Sequence, residues 1–137
     1  MPGRTINNDN KGFTLLELMI VIAIIGILAT LAQPMFKTAV LKAKEASLKE
    51  DLFNLRNCID QYFGDNGKYP DSLGNLVDKG YMRAIPTDPF TGNSDWTEVP
   101  PDTTNADPNN PGESGGIGDV RSKATGTGLN GKAYSEW

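Results

Sequence analysis

An apolar run near the amino end constrains this chain more than any other feature. Every side chain from residue 13 to residue 31 is compatible with lipid except that of Glu17. A helix over this run rises about 28 Å, close to the roughly 30 Å hydrocarbon thickness of a bilayer. A buried core helix is the alternative, but the soluble remainder of about 100 residues is too small to cover such a helix on all sides. The run therefore predicts a single membrane span.

The composition excludes several classes of function. The chain has 137 residues, a formal net charge of −4, no histidine and one cysteine, Cys58. An acidic chain does not fit nucleic-acid binding, and the lack of histidine removes the commonest general base and metal ligand. No nucleophile–base set, phosphate-binding glycine loop or Cys/His metal spacing is present in the sequence. We expect neither an enzyme nor a nucleic-acid-binding protein.

The polar segment before the run does not fit a secretory signal peptide. Such a signal ends in a small-residue cleavage site after its apolar stretch, whereas here Gln33 and Pro34 lead into further helix. Gly12 stands directly before the run, and a residue without a side chain leaves the backbone accessible to a protease. If a peptidase acts, we expect it to cut between Gly12 and Phe13.

The residues Lys11-Gly12-Phe13-Thr14-Leu15-Leu16-Glu17, with the apolar run behind them, resemble the class III signal of type IV pilins and type II secretion pseudopilins. The resemblance implies that a prepilin peptidase cuts after Gly12 and methylates the new amino group of Phe13. Residues 1–12 are then a leader that the mature protein lacks. The resemblance also implies a single-pass inner-membrane protein with a cytoplasmic amino terminus and a periplasmic head.

Glu17 has a candidate role in assembly, since an acid within a membrane span is a functional-site hypothesis by default. Cleavage after Gly12 creates an ammonium group on Phe13, one helical turn before Glu17. The two charges can neutralise each other within one chain or between neighbouring subunits. The resemblance favours the neighbour, where the contact sets subunit register in a filament. The alternative is that Glu17 lies at the lipid headgroups and is solvated.

Two residues weaken the predicted helix. Gly26 costs about 1 kcal/mol relative to alanine in a helix interior. Pro34 removes one helical hydrogen bond and should kink the helix where it leaves the membrane. The resemblance implies that the stretch between them loosens in a filament. We assign residues 13–33 to the transmembrane and assembly segment and residues 34–64 to the periplasmic part of the helix.

Apolar residues spaced three and four apart continue the helix to about Phe63. We expect its face from Leu52 onward to pack on a head formed by residues 65–137, with Phe53, Tyr62 and Phe63 in the core. The turn sequence after Phe63 is expected to end the helix.

The head is predicted to be small and rich in loops. A short helix follows Asp71 or Ser72 as its N-cap and stops at Gly80. Six of the nine prolines fall between residues 86 and 111, which excludes long regular elements there. Short strands are expected around residues 96–99, 117–122 and 132–137. The fold class is α+β: a long helix packed on a small head with short antiparallel strands, the pilin fold.

The head resembles that of the major pseudopilins of type II secretion, through Tyr69-Pro70, the segment Ile85-Pro86-Thr87-Asp88-Pro89-Phe90 and Trp137. Many major pseudopilins hold a structural calcium ion in the C-terminal loop with Asp side chains and main-chain carbonyls, and calcium prefers such oxygen ligands. The candidate ligands here are Asp119, Ser122, Thr125 and Asn130. With one carboxylate among them the site is weak, and turn residues without an ion are the alternative. We expect no other cofactor.

Three functions follow from these features. The first, which the resemblance implies, is a structural subunit of a homopolymeric pseudopilus that grows with minor pseudopilins from an inner-membrane platform and its ATPase, and so exports folded proteins. The second is a major or minor type IV pilin of a surface fibre for adhesion, motility or DNA uptake. The third is a membrane-tethered periplasmic binding module. The absence of a ligand motif in the sequence weighs against the third.

Overall fold

The structure, a computed structural model, describes residues 2–3 and 11–137 of the chain. Most of the predicted leader, residues 1 and 4–10, lies outside the described residues. A long helix and a two-stranded antiparallel sheet confirm the predicted α+β class. In chain order the elements are helix α1 (Leu15–Asn66), helix α2 (Leu73–Asp78), strand β1 (Thr97–Val99), a 3-10 helix (Pro111–Glu113), strand β2 (Asp119–Arg121) and a 3-10 helix (Tyr134–Glu136).

The chain forms two compact units, Met1–Ala39 and Val40–Trp137. In the first unit the described apolar side chains are exposed, for example Leu16 at 68% and Leu31 at 65%. The helix that begins here is long and apolar enough to cross a membrane. Nothing within the described part of this unit covers its surface, as expected of a segment that lies in lipid or against other subunits.

Helix α1 ends later than predicted, at Asn66 rather than near Phe63. Gly64 is accommodated within the helix. The stop is Gly67, which adopts a left-handed conformation with φ of 66° and donates its N–H to the Phe63 carbonyl at 2.8 Å. A left-handed glycine after the last helical residue is the common end of an α-helix, because glycine has no Cβ to clash.

The core of the second unit contains one face of α1, as predicted. Phe53 is the exception: it is 63% exposed, so its predicted place in the core is wrong. It follows Leu52 directly and therefore points about 100° away from the buried face. The buried apolar residues are Leu48, Leu52, Leu55, Ile59 and Tyr62 of α1, together with Leu73, Leu76, Trp96, Ile117, Val120, Ala124 and Tyr134.

Two of the three predicted strands are confirmed. Strands β1 and β2 pair antiparallel, with Glu98 opposite Val120. The third prediction, a strand at residues 132–137, is wrong, because Ala133 makes only an isolated bridge and a 3-10 helix follows it. Glycines at positive φ turn the chain here, and the Tyr134 side chain packs inward rather than on a sheet.

Helix α2 begins and ends as predicted. Ser72 is the N-cap, and its hydroxyl accepts the Asn75 N–H at 3.4 Å. Gly80 follows the helix in a left-handed conformation with φ of 80°. Leu73 and Leu76 are buried and fix the helix against the core.

A buried carboxylate fixes the segment around residues 128–134 to α1. The Oε1 atom of Glu45, a residue only 8% exposed, accepts the Leu129 N–H at 2.8 Å and the Tyr134 hydroxyl at 3.0 Å. Burial is the main cause that raises the pKa of the Tyr134 phenol, and the hydrogen bond to Glu45 raises it further. The Tyr134 hydroxyl is therefore protonated and a donor at neutral pH. The Tyr134 ring stacks on Phe90 with 4.2 Å between centroids. We call Glu45, Leu129 and Tyr134 the Glu45 anchor.

We expect Glu45→Ala to lower the free energy of unfolding by about 2–3 kcal/mol, because two donors are left without their acceptor. Tyr134→Phe removes one of the two bonds and should cost less. Thermal unfolding of the full chain in detergent micelles measures both effects. The matched control is Glu50→Ala, an exposed acid on the same helix. Equal losses for Glu45→Ala and Glu50→Ala would contradict the anchor.

Candidate assembly and processing site

The peptide bond expected to be cut lies in an exposed part of the chain. Residues 11–14 are exposed and have no regular secondary structure before α1 begins at Leu15. A Cβ added to Gly12 would meet nothing within 4 Å, and Phe13 is 87% exposed. The bond between Gly12 and Phe13 is therefore accessible to a protease in this state of the chain.

Thr14 is the N-cap of α1, a role that the sequence reasoning missed. Its hydroxyl accepts the Glu17 N–H at 3.2 Å, and its carbonyl accepts the Leu18 N–H at 3.1 Å. A threonine three residues before a glutamate is the sequence pattern of a capping box, so the signal was present. The cap fixes the first turn of the helix, from which the Glu17 side chain projects.

Glu17 lies in the first turn of α1 and is exposed. A carboxylate is favourable there, because the first turn carries the partial positive charge of the helix dipole. The described ion pairs of the chain, Arg56–Asp119 and Lys123–Asp95, do not include it. In the uncut chain the nitrogen of Phe13 belongs to a peptide bond and has no charge, so it cannot neutralise Glu17 in this state.

Helix α1 is continuous through both predicted weak points, Gly26 and Pro34. Two threonine hydroxyls bond back to the carbonyls of these residues: Thr30 donates to Gly26 at 2.8 Å and Thr38 to Pro34 at 3.2 Å. Such side-chain bonds to the preceding turn weaken and bend helices slightly. The kink at Pro34 and the loosening of this stretch stay predictions.

The structure does not gather the four candidate calcium ligands around one point. Asp119 pairs with Arg56, and the buried hydroxyl of Ser122 donates to the carboxylate of Asp88. Asn130 accepts the Lys132 N–H at 3.0 Å, a bond within its own turn. Thr125 is exposed. Across residues 2–3 and 11–137, no group of three or more His, Cys, Asp or Glu side chains is placed to hold a metal. Calcium binding stays a prediction.

Asp88 is a buried carboxylate, a feature often found in functional sites, but its contacts here are structural. It is fully buried, and its Oδ1 atom accepts the Phe90 N–H at 2.8 Å. Its Oδ2 atom accepts the hydroxyl of Ser122. The carboxylate thus joins the loop after Pro86 to the end of β2, and these bonds satisfy its buried oxygens.

Cys58 is free and half-buried in the packed side of α1. Burial raises the pKa of its thiol, so the reactive thiolate is disfavoured at neutral pH. Its Sγ donates to the Tyr81 carbonyl at 3.4 Å. Cys58 therefore acts as a small core residue rather than as a reactive thiol.

Comparison with known proteins supports the amino-terminal site. Residues 7–32 match the family model of the prokaryotic N-terminal methylation motif. This match spans the predicted cleavage point, Glu17 and Gly26. No solved structure matches the chain.

Curated relatives extend the similarity into the head. The chain is 38% identical over 96 residues to type II secretion system core protein G of Dickeya chrysanthemi, which covers 58% of this chain and 63% of the relative. It is 36% identical over 124 residues to the core protein G of Escherichia coli K12, covering 79% of this chain and 77% of the relative. The type IV major pilin protein PilA of Myxococcus xanthus is 43% identical over 70 residues, covering 51% of this chain and 32% of the relative.

The matches to core protein G extend well beyond the amino-terminal motif, whereas the match to PilA covers a third of that pilin. Among the core protein G relatives, the chain spans about two thirds of their length. With the methylation motif at its amino end and a head of α+β class, the chain belongs to the family of type II secretion system core protein G.

Proposed function

We propose that the chain is a structural subunit of a pseudopilus, and not an enzyme. It is made as an inner-membrane precursor and polymerises so that the growing fibre exports folded proteins by type II secretion. The observation that carries this proposal is family membership, combined with an apolar helix whose described surface is uncovered. Such a surface needs either lipid or neighbouring subunits around it.

Processing is the first step of the proposed function. A prepilin peptidase cuts between Gly12 and Phe13 on the cytoplasmic side of the membrane and methylates the new amino group. The exposure of this bond and the open space around Gly12 support the proposal. The mature chain then begins at Phe13, and the head lies in the periplasm.

Assembly follows from the charge that processing creates. An unpaired carboxylate is costly in an apolar surrounding, where the attraction to an ammonium group is stronger than in water. The ammonium on Phe13 of one subunit offsets this cost for Glu17 of its neighbour. Because the uncut chain has no such ammonium, only processed subunits can make the contact. The contact then favours one register between neighbouring subunits of the homopolymer.

The proposed partners follow from the family. They are copies of the same chain, minor pseudopilins, the inner-membrane assembly platform with its ATPase, and the prepilin peptidase. Membrane lipid surrounds residues 13–33 before assembly. Gly26 and Pro34 would let this helix adjust when it leaves lipid for the fibre, an idea supported by the back-bonded threonines beside them.

A type IV pilin of a surface fibre is the second candidate, favoured by the similarity to PilA. The two functions separate experimentally. Shearing of intact cells releases surface fibres, whereas a periplasmic pseudopilus stays with the cell. Deletion of the gene should block export of folded proteins for a pseudopilin and leave it intact for a surface pilin.

Glu17→Ala and Glu17→Val should abolish incorporation into fibres while the precursor still inserts and is cut. The physical reason is that the ammonium of the neighbouring subunit loses its partner. Electron microscopy of fibres from cells that overproduce the chain measures incorporation, and membrane fractionation measures insertion. Exposed Glu50→Ala is the matched control and should assemble normally. Normal fibres from either Glu17 variant would exclude the proposed contact.

Thr14→Val should weaken assembly without affecting cleavage, because it removes the hydroxyl that caps α1 and leaves the first turn less ordered. Loss of an N-cap costs about 1 kcal/mol, so we expect fewer or shorter fibres rather than none. Thr14→Ser keeps the hydroxyl and is the matched control. The same fibre assay measures both variants. Equal assembly of the valine and serine variants would show that the cap plays no part.

A further inference from the structure

One side chain of α1 binds oxygen atoms from two other parts of the second unit. The Nε atom of Arg56 donates to Oδ1 of Asp119 at 2.6 Å. Its Nη2 atom donates to the main-chain oxygen of Val120 at 3.1 Å and to that of Trp137 at 2.8 Å. One guanidinium thus joins α1, β2 and the segment that follows the 3-10 helix at Tyr134–Glu136.

These oxygens are of the kind that a calcium ion uses. A carboxylate and main-chain oxygens are typical calcium ligands, and Asp119 is the one carboxylate among the candidate ligands of the C-terminal loop. In this chain the same carboxylate already faces a permanent positive charge, because an arginine side chain does not lose its proton in proteins. A calcium ion bound 2.3–2.6 Å from Asp119 would lie close to that charge and be repelled by it.

The remaining candidate ligands do not compensate for this repulsion. The hydroxyl of Ser122 is directed to Asp88, and the side-chain oxygen of Asn130 holds its own turn. Neither residue carries a charge. The donor set of the described residues therefore does not fit a calcium ion.

We propose that Arg56 supplies the positive charge that binds these oxygens. Its guanidinium takes the structural place of a calcium ion and makes folding of the second unit independent of calcium. The arrangement needs arginine in particular. The fork of the guanidinium directs separate N–H groups at the carboxylate and at the two main-chain oxygens, whereas the ammonium of lysine is a single compact charge.

The exposure of the pair sets the size of the expected effect. The side chains of Arg56 and Asp119 are 38% and 37% exposed, and an exposed ion pair alone contributes little. The two bonds to main-chain oxygens add to it, because they hold the last part of the chain on α1. Lys123 and Asp95 form the other described ion pair, at 3.3 Å and with greater exposure, so they provide a matched control.

The first test is thermal unfolding of the full chain in detergent micelles, in EDTA and in millimolar calcium. We expect the two melting temperatures to agree within about 1 °C. A bound ion at 100 times its Kd would instead raise the melting temperature by roughly 10 °C or more. A rise of that kind for the wild-type protein would overturn the proposal, and this test needs no variant.

The second test uses Arg56→Gln, which removes the charge and frees the oxygens. In EDTA its melting temperature should fall by on the order of 5–10 °C. Arg56→Lys should lie between the variant and the wild type. Lys123→Met should melt like the wild type in either buffer. An Arg56→Gln variant that melts like the wild type would contradict the proposed role.

Discussion

The exposed apolar surface of α1 is the constraint on which the rest of the molecule depends. Fifteen large apolar side chains between Phe13 and Phe36 are exposed among the described residues. Moving such side chains out of water is favourable by about 1.5–3 kcal/mol each, so the total is on the order of 20 kcal/mol or more. That exceeds the 5–15 kcal/mol that stabilises a typical folded domain. The surroundings of this helix, lipid or neighbouring subunits, therefore decide where the chain resides.

Glu17 is the one charged residue of the apolar run, and its carboxylate opposes the transfer out of water. In the proposed function this cost makes assembly depend on processing. Before processing, and as far as residues 2–3 and 11–137 show, the carboxylate has only the first-turn dipole and solvent to stabilise it. After processing, an ammonium group becomes available at the adjacent end of a neighbouring chain. A subunit that has been cut is then the only kind that can leave lipid for the fibre without an unpaired charge. The Thr14 cap contributes by holding the first turn from which Glu17 projects.

Sequence patterns predicted the features that depend on near neighbours. The α1 and α2 helices, the positions of the two strands and the processing motif all depend on residues within a few positions of one another. The Thr14 cap was also readable from its spacing to Glu17. The contacts of Arg56 were not, because they join residues 63 to 81 positions apart and no local pattern encodes them. The exposure of Phe53 was missed for a different reason. Phe53 follows the buried Leu52, and the sequence prediction assigned both to the core without separating the buried face of the helix from the exposed one.

The difference between local patterns and contacts far apart in the chain also explains why the candidate calcium ligands do not form one site. Asp119, Ser122 and Asn130 lie within twelve residues and resemble a ligand loop in sequence. The partners of two of them come from elsewhere in the second unit: Arg56 for Asp119 and Asp88 for Ser122. Asn130 bonds within its own turn. The three residues that resemble a ligand set in sequence thus make three separate structural contacts. The carboxylate of Asp119 is paired with the guanidinium of Arg56 from α1.

The central claim is that processing at Gly12 creates the partner of Glu17. The intact mass and amino-terminal sequence of the protein extracted from its native membrane test it most directly. The account predicts a chain that begins with methylated Phe13. A chain that still carries Met1 to Gly12, in cells with an active prepilin peptidase, would leave Glu17 without its ammonium partner and contradict the account.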